Sequence, residues 1–465
     1  SSDLRGFYFK TNKGNLYGYD DYTGNVNICE EEMPINPIVS GKLNTEDLTV
    51  DKNEIKEYLN LNGFRQLVLM ITEECNIRCK YCVYSGNYSN TREHNNSSMS
   101  VDTAKKAVKQ YLLSFKDVKY KNPFLTPSIG FYGGEPLLNY QLIKEVVQYC
   151  KEIYPNNIQF NTTTNAVLLD EEKIMFFASN NFALSISLNG DKEEHDRLRV
   201  FRNGDGTFEL MSKNLNKIRL LYPEYYKSNC SIIITFDTKT NLTNLNNFIA
   251  DNKNILPTVA RINPVSNLFT DWYDQYSEED KLNHKNELLE LRELYSKQLK
   301  EDEVNPLLTN LFGLDYFRIL NRILNIKPEQ LRPKFLKYTG ACVPGTKLAV
   351  NCNGDLICCE RVSESITIGN VDSWIDYDKV SDIICKYNSI ITKECSSCPI
   401  QRLCDLCYSH FTNGNGEFVK PSGFSCEKIV DYYRNLFSKT WDLMEDGIDL
   451  EDIIRTKKEK RNCGV

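Results

Sequence analysis

Between residues 7 and 28 apolar and polar positions alternate around Lys13-Gly14-Asn15 and Thr23-Gly24-Asn25, a period of two with turn formers at each reversal. This predicts a small antiparallel meander. A short helix is expected at 54–61. The pattern then changes to short apolar runs at 66–72, 128–132, 158–163, 183–188, 230–236 and 259–264, which read as strands. Helical periodicity fills the gaps at 101–115, 140–154, 170–179, 208–221 and 241–251, with Ser100 and Asp170 as N-caps. Six strands separated by crossover helices imply an α/β fold, a partial TIM-like barrel with its chemistry at the carboxyl ends of the strands. Residues 277–336 are helical in pattern, rich in charge and free of cysteine, as a bridge would be. Residues 342–426 are cysteine-dense and turn-rich, a final amphipathic helix is expected at 427–444, and the basic tail at 455–461 reads as a solvated end.

With 465 residues, 41% of them hydrophobic, the chain can bury the cores of two or three domains. The net charge of -7 excludes a nucleic-acid partner held mainly by phosphate contacts. No run of eighteen apolar residues occurs and the N-terminus lacks a charged-then-apolar signal, so the expectation is a cytoplasmic protein with no membrane partner. In a reducing compartment, seventeen cysteines indicate metal binding rather than disulfides.

Cys75-x3-Cys79-x2-Cys82 follows directly on the first barrel strand. Three thiolates on a four-iron cluster leave one iron without a protein ligand and open to another group; the alternative is a zinc knuckle with His94 as fourth ligand. The second strand ends in Tyr132-Gly133-Gly134-Glu135-Pro136, where two glycines permit a close backbone approach and Glu135 can accept bonds from an amine. Thr164-Asn165 closes the third strand, and Ser187-Leu188-Asn189-Gly190 the fourth, followed by His195-Asp196, Arg199 and Gly204-x-Gly206-Thr207-Phe208.

Together these motifs resemble the radical S-adenosylmethionine (SAM) enzymes, in which a 4Fe-4S cluster cleaves SAM to a 5′-deoxyadenosyl radical. The resemblance implies Cys75, Cys79 and Cys82 as ligands of the catalytic cluster, with Tyr81 in their spacer beside the cofactor. It implies Gly133, Gly134, Glu135 and Pro136 around the SAM amino group, Thr164 and Asn165 at its ribose or methionine part, Ser187 at its ribose and Arg199 on its carboxylate. Asn189 stands where the family more often has Asp, and His195 reads as a structural hydrogen-bonding residue rather than a base.

The later array, Cys342-x11-Gly354-x4-Cys359, Cys395-x2-Cys398-x5-Cys404-x2-Cys407 and Cys426, resembles the SPASM domain, which carries two auxiliary 4Fe-4S clusters, three clusters in all. The last spacer of its middle run is shorter than the family's. Carried over, auxiliary cluster II has Cys395, Cys398, Cys404 and Cys426, while cluster I has only Cys342, Cys359 and Cys407. Cluster I therefore uses Cys352 or Cys358 or has an open iron; the open iron is the preferred reading, because Cys352 sits in a turn and Cys358 points away from Cys359 on a strand. Cys29, Cys150, Cys230, Cys385 and Cys463 have no metal spacing.

The run from Cys82 to Tyr88 and Arg92 is similar to sactipeptide and ranthipeptide maturases, which join cysteine sulfur to carbon. The implied partners are a ribosomally made precursor peptide with its leader and an electron donor such as flavodoxin or ferredoxin. The alternatives are oxidation of Cys or Ser to formylglycine, epimerisation or carbon–carbon cross-linking. The expected domains are 1–62, a meander and helix that hold a leader; 63–270, the partial barrel; 271–338, the helical bridge; 339–430, the SPASM domain; and 431–465, the terminal helix and tail.

Overall fold

The computed structural model describes residues 6–21, 23–32, 50–301, 304–321, 342–362, 364–395, 398–401, 403–404, 406–413, 415–419 and 426–450. The expected tail, Cys463 and the end of the helical bridge lie outside them. Two compact units are present: residues 59–311 with 344–376, and residues 1–58 with 312–343 and 377–464.

The first unit is built on a ten-stranded sheet. Strands β4 (Gln66–Thr72), β5 (Ser128–Gly133), β6 (Gln159–Thr164), β7 (Ala183–Ser187), β8 (Cys230–Phe236) and β9 (Thr258–Pro264) run parallel in chain order, as the sequence predicts. Helices α2 (Val101–Lys121), α3 (Tyr140–Ile153), α4 (Glu171–Ser179), α5 (Lys192–Leu198), α6 (Phe208–Leu221), α7 (Pro223–Asn229) and α8 (Leu242–Asp251) connect them, and α9 (Glu278–Glu301) and α10 (Pro306–Leu308) follow. Ser100 and Asp170 cap α2 and α4 as expected, accepting from the amides of Thr103 and Lys173 at 3.0 and 2.9 Å. Helix α2 runs six residues beyond its expected end because Val118 keeps the apolar face buried.

Parallel strands covered on both faces read as continuous apolar runs. In β6, β7 and β8 buried and half-buried positions alternate instead. On the helix-covered face Phe131, Phe160 and Phe182 stack at 5.9 and 5.3 Å, and Phe177 of α4 closes on Phe182 at 4.9 Å. The opposite face mixes a cluster of Val68, Met70, Ala349, Ile357 and Tyr132 with a polar row: Gln66 donates to Asn161 at 3.3 Å, Asn161 to Ser128 at 3.1 Å, and the hydroxyls of Ser185 and Ser231 pair at 3.2 Å. Tyr132 on β5 acts electrostatically on Arg261 of β9, four places away in the sheet order. A flat sheet would separate these strands by about 19 Å, so the sheet curls around a polar interior.

Four further strands, β10 (Lys347–Val350), β11 (Asp355–Ile357), β12 (Thr367–Asn370) and β13 (Trp374–Ile375), extend the edge beyond β4. β10 lies parallel to β4, pairing Lys347 with Gln66 through Val350 with Leu69. The sequence reading placed this segment in the cysteine-rich domain; its backbone hydrogen bonds place it on the barrel sheet.

In the second unit, β1 (Gly6–Lys10), β2 (Leu16–Asp20) and β3 (Val26–Cys29) form the expected meander. Its apolar face packs on the terminal helix α13 (Cys426–Glu445), with Phe7 and Tyr19 at 5.2 and 4.8 Å from Phe437 and Phe9 at 5.5 Å from Trp441. Glu445 closes the contact, accepting from Tyr17 at 2.8 Å and Asn15 at 2.9 Å. Helix α1 (Lys52–Asn62) follows the meander in the chain and is shared between the units, its first seven residues belonging to this one, and α11 (Leu314–Asn321) lies further along the chain. Helix α12 (Tyr377–Cys395) occupies a stretch read as turn-rich, its buried Tyr387 hydrogen-bonded to the Leu406 carbonyl at 3.3 Å. No described helix is long and apolar enough to cross a membrane.

Candidate functional site

The loop after β4 carries Cys75 and Cys82, whose thiols are held in low-dielectric surroundings, and the half-buried Cys79. Cys75 packs with Ile77 and Val167, and Cys79 and Phe201 lie against them. Burial, then Glu135 and the neighbouring thiols, pushes the Cys75 thiol up to about 12; burial and Cys79 push Cys82 up to about 11. Among the described residues no three such side chains are already drawn to coordination distance of one ion. The fit to an iron–sulfur cluster rests on the donor set: three thiols crowded into one dry loop, each disfavouring the others' bare ionisation, which cationic iron reverses. His94 stands beside them, Nε2 at 3.6 Å from the Cys82 sulfur and Nδ1 at 3.3 Å from the Glu73 carbonyl.

Gly133 and Gly134 admit the protein's own backbone. A Cβ at either would stand 2.1 Å from the carbonyl oxygen of Thr72 or Glu74, and Gly133 has φ +140°. This approach lets the amides of Gly134 and Glu135 bond those carbonyls at 2.9 Å, fastening the end of β5 to the cysteine loop. The Glu135 carboxylate is 1% exposed and accepts from Asn165 N and Thr164 Oγ1 at 2.8 Å and Leu137 N at 3.1 Å. It joins the ends of β5 and β6. Asn165 then reaches the cysteine loop, donating to Asn76 at 2.8 Å with its Nδ2 3.9 Å from the Cys75 sulfur.

Tyr81 is directed at Arg199. The buried guanidinium donates to the Tyr81 hydroxyl at 2.7 Å and Asn189 Nδ2 donates to the same oxygen at 3.2 Å, while Arg199 Nε has no hydrogen-bond partner among the described residues. An orphaned donor on a buried cation beside the cysteines suits a carboxylate ligand. Asn189 also accepts from the Thr235 amide at 3.1 Å.

His195 holds this arrangement from behind. Thr207 donates to the Arg199 carbonyl at 3.0 Å, so its oxygen accepts from His195 Nε2, also at 3.0 Å, and Nδ1 receives the Asn189 amide at 3.4 Å. Burial, then Arg199, lowers its pKa to about 2, keeping the imidazole neutral. That is the structural role the sequence suggests. Asp196 caps α6 through the Phe208 amide at 2.8 Å, and a Cβ on Gly206 would stand 2.1 Å from its carboxyl carbon. Ser187 ends β7 on the inward face.

Tyr84, Tyr88 and Arg92 brace the loop. Arg92 lies over the Tyr84 ring at 4.0 Å and donates to Glu364 at 3.1 Å; Tyr88 donates to the Tyr81 carbonyl at 3.2 Å.

Of the later cysteines, Cys352, Cys358 and Cys359 belong to the sheet unit. Cys352 is buried and donates to the Met70 carbonyl at 3.2 Å; Cys358 is buried and Cys359 half-buried. Cys342, Cys395, Cys398, Cys404, Cys407 and Cys426 belong to the other unit. There burial raises the Cys398 thiol to about 11, with Asp21 and Cys426 adding to it. Cys395 ends α12, Cys426 opens α13, and the Cys407 sulfur lies 3.8 Å from His410 Nδ1.

The sequence reading missed the polar inward positions of the barrel strands and Arg261, which shares their face. The available signal was the period of two in β6, β7 and β8, anomalous for parallel strands.

The family model of the Radical SAM superfamily matches residues 69–243. An uncharacterized protein of Methanocaldococcus jannaschii is 39% identical over 145 residues, 31% of this chain and 45% of that protein. The cysteine-type anaerobic sulfatase-maturating enzyme of Clostridium novyi is 28% identical over 168 residues, 36% of this chain and 43% of that enzyme. The chain thus spans less than half the length of these two relatives. The solved structure of native anSMEcpe with bound AdoMet and Cp18Cys peptide shares the fold, with a TM-score of 0.53 at 18% identity over 82% of this chain and 99% of that one. Over residues 69–243, this chain carries a Radical SAM superfamily domain.

Proposed function

We propose that the chain is a radical SAM peptide maturase that links cysteine sulfur to carbon in a ribosomally made precursor peptide. The observation that carries the reading is the meeting of Cys75, Cys79 and Cys82 with the Tyr81–Arg199 pair, at the carboxyl ends of strands whose inward face is polar. An iron–sulfur cluster with SAM bound there supplies a hydrogen-abstracting 5′-deoxyadenosyl radical. Cys75, Cys79 and Cys82 hold the cluster, Arg199 binds the SAM carboxylate through its orphaned Nε, and Tyr81 and Asn189 fix the guanidinium. Asn165 and Ser187 face the same end of the barrel. Cys395, Cys398, Cys404 and Cys426 hold an auxiliary cluster.

The thioether assignment is supported by the cysteine spacing of the later array, which supplies one complete set of four. The peptide class is supported by the fold shared with a structure that contains a peptide. The outer edge of β3, where Ile28 is 68% exposed, is the proposed seat of a leader strand, and a flavodoxin or ferredoxin is the proposed reductant. A second reading, oxidation of Cys or Ser to formylglycine, is favoured by the similarity to the Clostridium novyi enzyme.

Anaerobic incubation with SAM, reductant and a cysteine-containing peptide, followed by mass spectrometry, separates the two. The thioether reading requires loss of a hydrogen pair per link with the sulfur retained and blocked to alkylation. Loss of the sulfur with a new aldehyde would assign formylglycine, and a free thiol with altered stereochemistry would assign epimerisation.

A further inference from the structure

The side-chain amide of Asn165 is oriented by its own neighbours. Its Oδ1 accepts from the Val167 amide at 2.9 Å, so the nitrogen must occupy the other side. Nδ2 carries two hydrogens. Asn76 Oδ1 takes one at 2.8 Å, and the Cys75 sulfur lies 3.9 Å from the same nitrogen, within reach for an acceptor as large as sulfur. Asn165 is 6% exposed and Cys75 7% exposed, so the second hydrogen has no bulk water to turn to and the sulfur is the acceptor it faces.

The backbone is held in a costly shape to keep this contact. The Asn165 amide is fixed on Glu135 Oε2 at 2.8 Å, and the next residue, the fully buried Ala166, has φ +62°. An L side chain rarely adopts that region, and it persists only where the surroundings over-determine it. Here Ala166 N donates to Thr164 Oγ1 at 3.0 Å, while Asn214 of α6 donates to the carbonyls of Ala166 and Val167 at 2.9 and 3.1 Å. The turn at Ala166 brings the Val167 amide onto Oδ1 and thereby leaves Nδ2 facing the cysteine loop.

Hydrogen bonds to the sulfurs of an iron–sulfur cluster help set its reduction potential, because a donor favours the more electron-rich, reduced state. In dry surroundings the effect is stronger. We infer that Asn165 is a positioning residue that donates Nδ2–H to the Cys75 sulfur and raises the reduction potential of the cluster this cysteine holds, in place of the SAM contact that the family resemblance implies. The inference rests on the radical SAM reading of Cys75, Cys79 and Cys82 and deepens it.

The test uses the full chain with reconstituted clusters and no SAM. The spectrum of the C75A/C79A/C82A chain is subtracted so that the cluster of this loop is read alone. In N165S a hydroxyl can still accept from the Val167 amide but is too short to reach the sulfur. Redox titration followed by electron paramagnetic resonance should place the N165S midpoint lower by about 59 mV, a tenfold change in the one-electron equilibrium, with iron and sulfide content retained. In the unaltered chain, labelled with heavy nitrogen at its asparagines, pulsed resonance of the reduced cluster should show a weak coupling to that nitrogen, absent from N165S. An unmoved midpoint with iron retained, or no asparagine coupling in the unaltered chain, overturns the inference; the second measurement needs no variant to fold. A loss of SAM affinity in N165S at an unmoved midpoint also overturns it and gives the amide to the cofactor. An unaltered chain that assembles no cluster on this loop refutes the radical SAM reading and the role of Asn165 with it. A chain that shows the coupling and the shift yet modifies no peptide refutes the maturase reading and leaves Asn165 in place.

Discussion

Glu135 offers the sharpest mutational test, because its carboxylate is buried and every bond it makes is identified. Leu137 N and Thr164 Oγ1 converge on Oε1 at 3.1 and 2.8 Å, while Asn165 N reaches Oε2 at 2.8 Å. Glu135→Gln can keep the first two bonds on its amide oxygen. The NH2 group then faces the Asn165 amide, donor against donor. A lost charge-assisted bond and an unsatisfied buried donor cost about 1–3 kcal/mol. The lower part of that range applies, since burial also raises the pKa of this carboxyl, and a neutral side chain escapes that penalty. Glu135→Ala strands all three donors and leaves a cavity, costing about 3–5 kcal/mol. At about 2–4 °C per kcal/mol for a domain of this class, Tm should fall by about 3 °C in E135Q and about 10 °C in E135A. Thermal unfolding of the reconstituted chain measures both. Equal Tm values for E135Q and E135A would refute the reasoning, because the two differ in the number of bonds broken. The Asn165 amide released in E135Q also positions the side chain nearest Cys75, so SAM affinity should weaken alongside Tm; affinity unchanged at a lowered Tm would confine Glu135 to folding.

Tyr81→Phe removes the oxygen that holds Arg199 and Asn189 and should weaken SAM binding about tenfold, as lost orientation worth roughly 1 kcal/mol or slightly more implies; unaltered affinity by calorimetry would count against the assignment of Arg199. Gly134→Ala forces a Cβ to 2.1 Å from the Glu74 carbonyl, so the cysteine loop should shift and the iron content per chain fall, whereas normal iron loading at wild-type Tm would show that the backbone contact yields easily. Asp237, 2% exposed, is pushed up by burial, but Arg197 at 2.8 and 3.0 Å and Tyr276 at 2.8 Å bring it below the usual carboxylate range. Its stabilisation is therefore present above the unfolded carboxylate value of about 3.9 and is lost as pH falls through the lower folded value. Asp237→Asn should cost about 3 kcal/mol near neutrality, and its Tm difference from the wild type should close in acid; a difference independent of pH would remove the ion pair from the account.

What the sequence made legible was whatever repeats locally. The six parallel strands and their helices announce themselves because each is a short apolar run or an amphipathic period, and Ser100 and Asp170 cap within three residues of themselves. The cysteine spacing is local too. What stayed hidden is set by partners distant in the chain. β10 is four residues with no periodic signal, and it becomes a strand because β4, nearly 300 residues earlier, offers an edge at matching register. Gly133 and Gly134 mark a close approach in any reading, but only the fold shows that what approaches is the carbonyl of Thr72 or Glu74. The same holds for Glu135: a carboxylate after two glycines suggests an amine, while the folded chain first spends its lone pairs on Leu137, Thr164 and Asn165. The polar inward positions are different, because they were written locally. Asn161, Thr163, Ser185, Ser187, Ser231 and Thr235 occupy most of the alternate, less buried positions of three parallel strands, and such strands do not pack both faces against apolar layers. A period of two within a parallel sheet therefore predicts a polar interior, and a polar interior is where opposite walls can bring distant charges together.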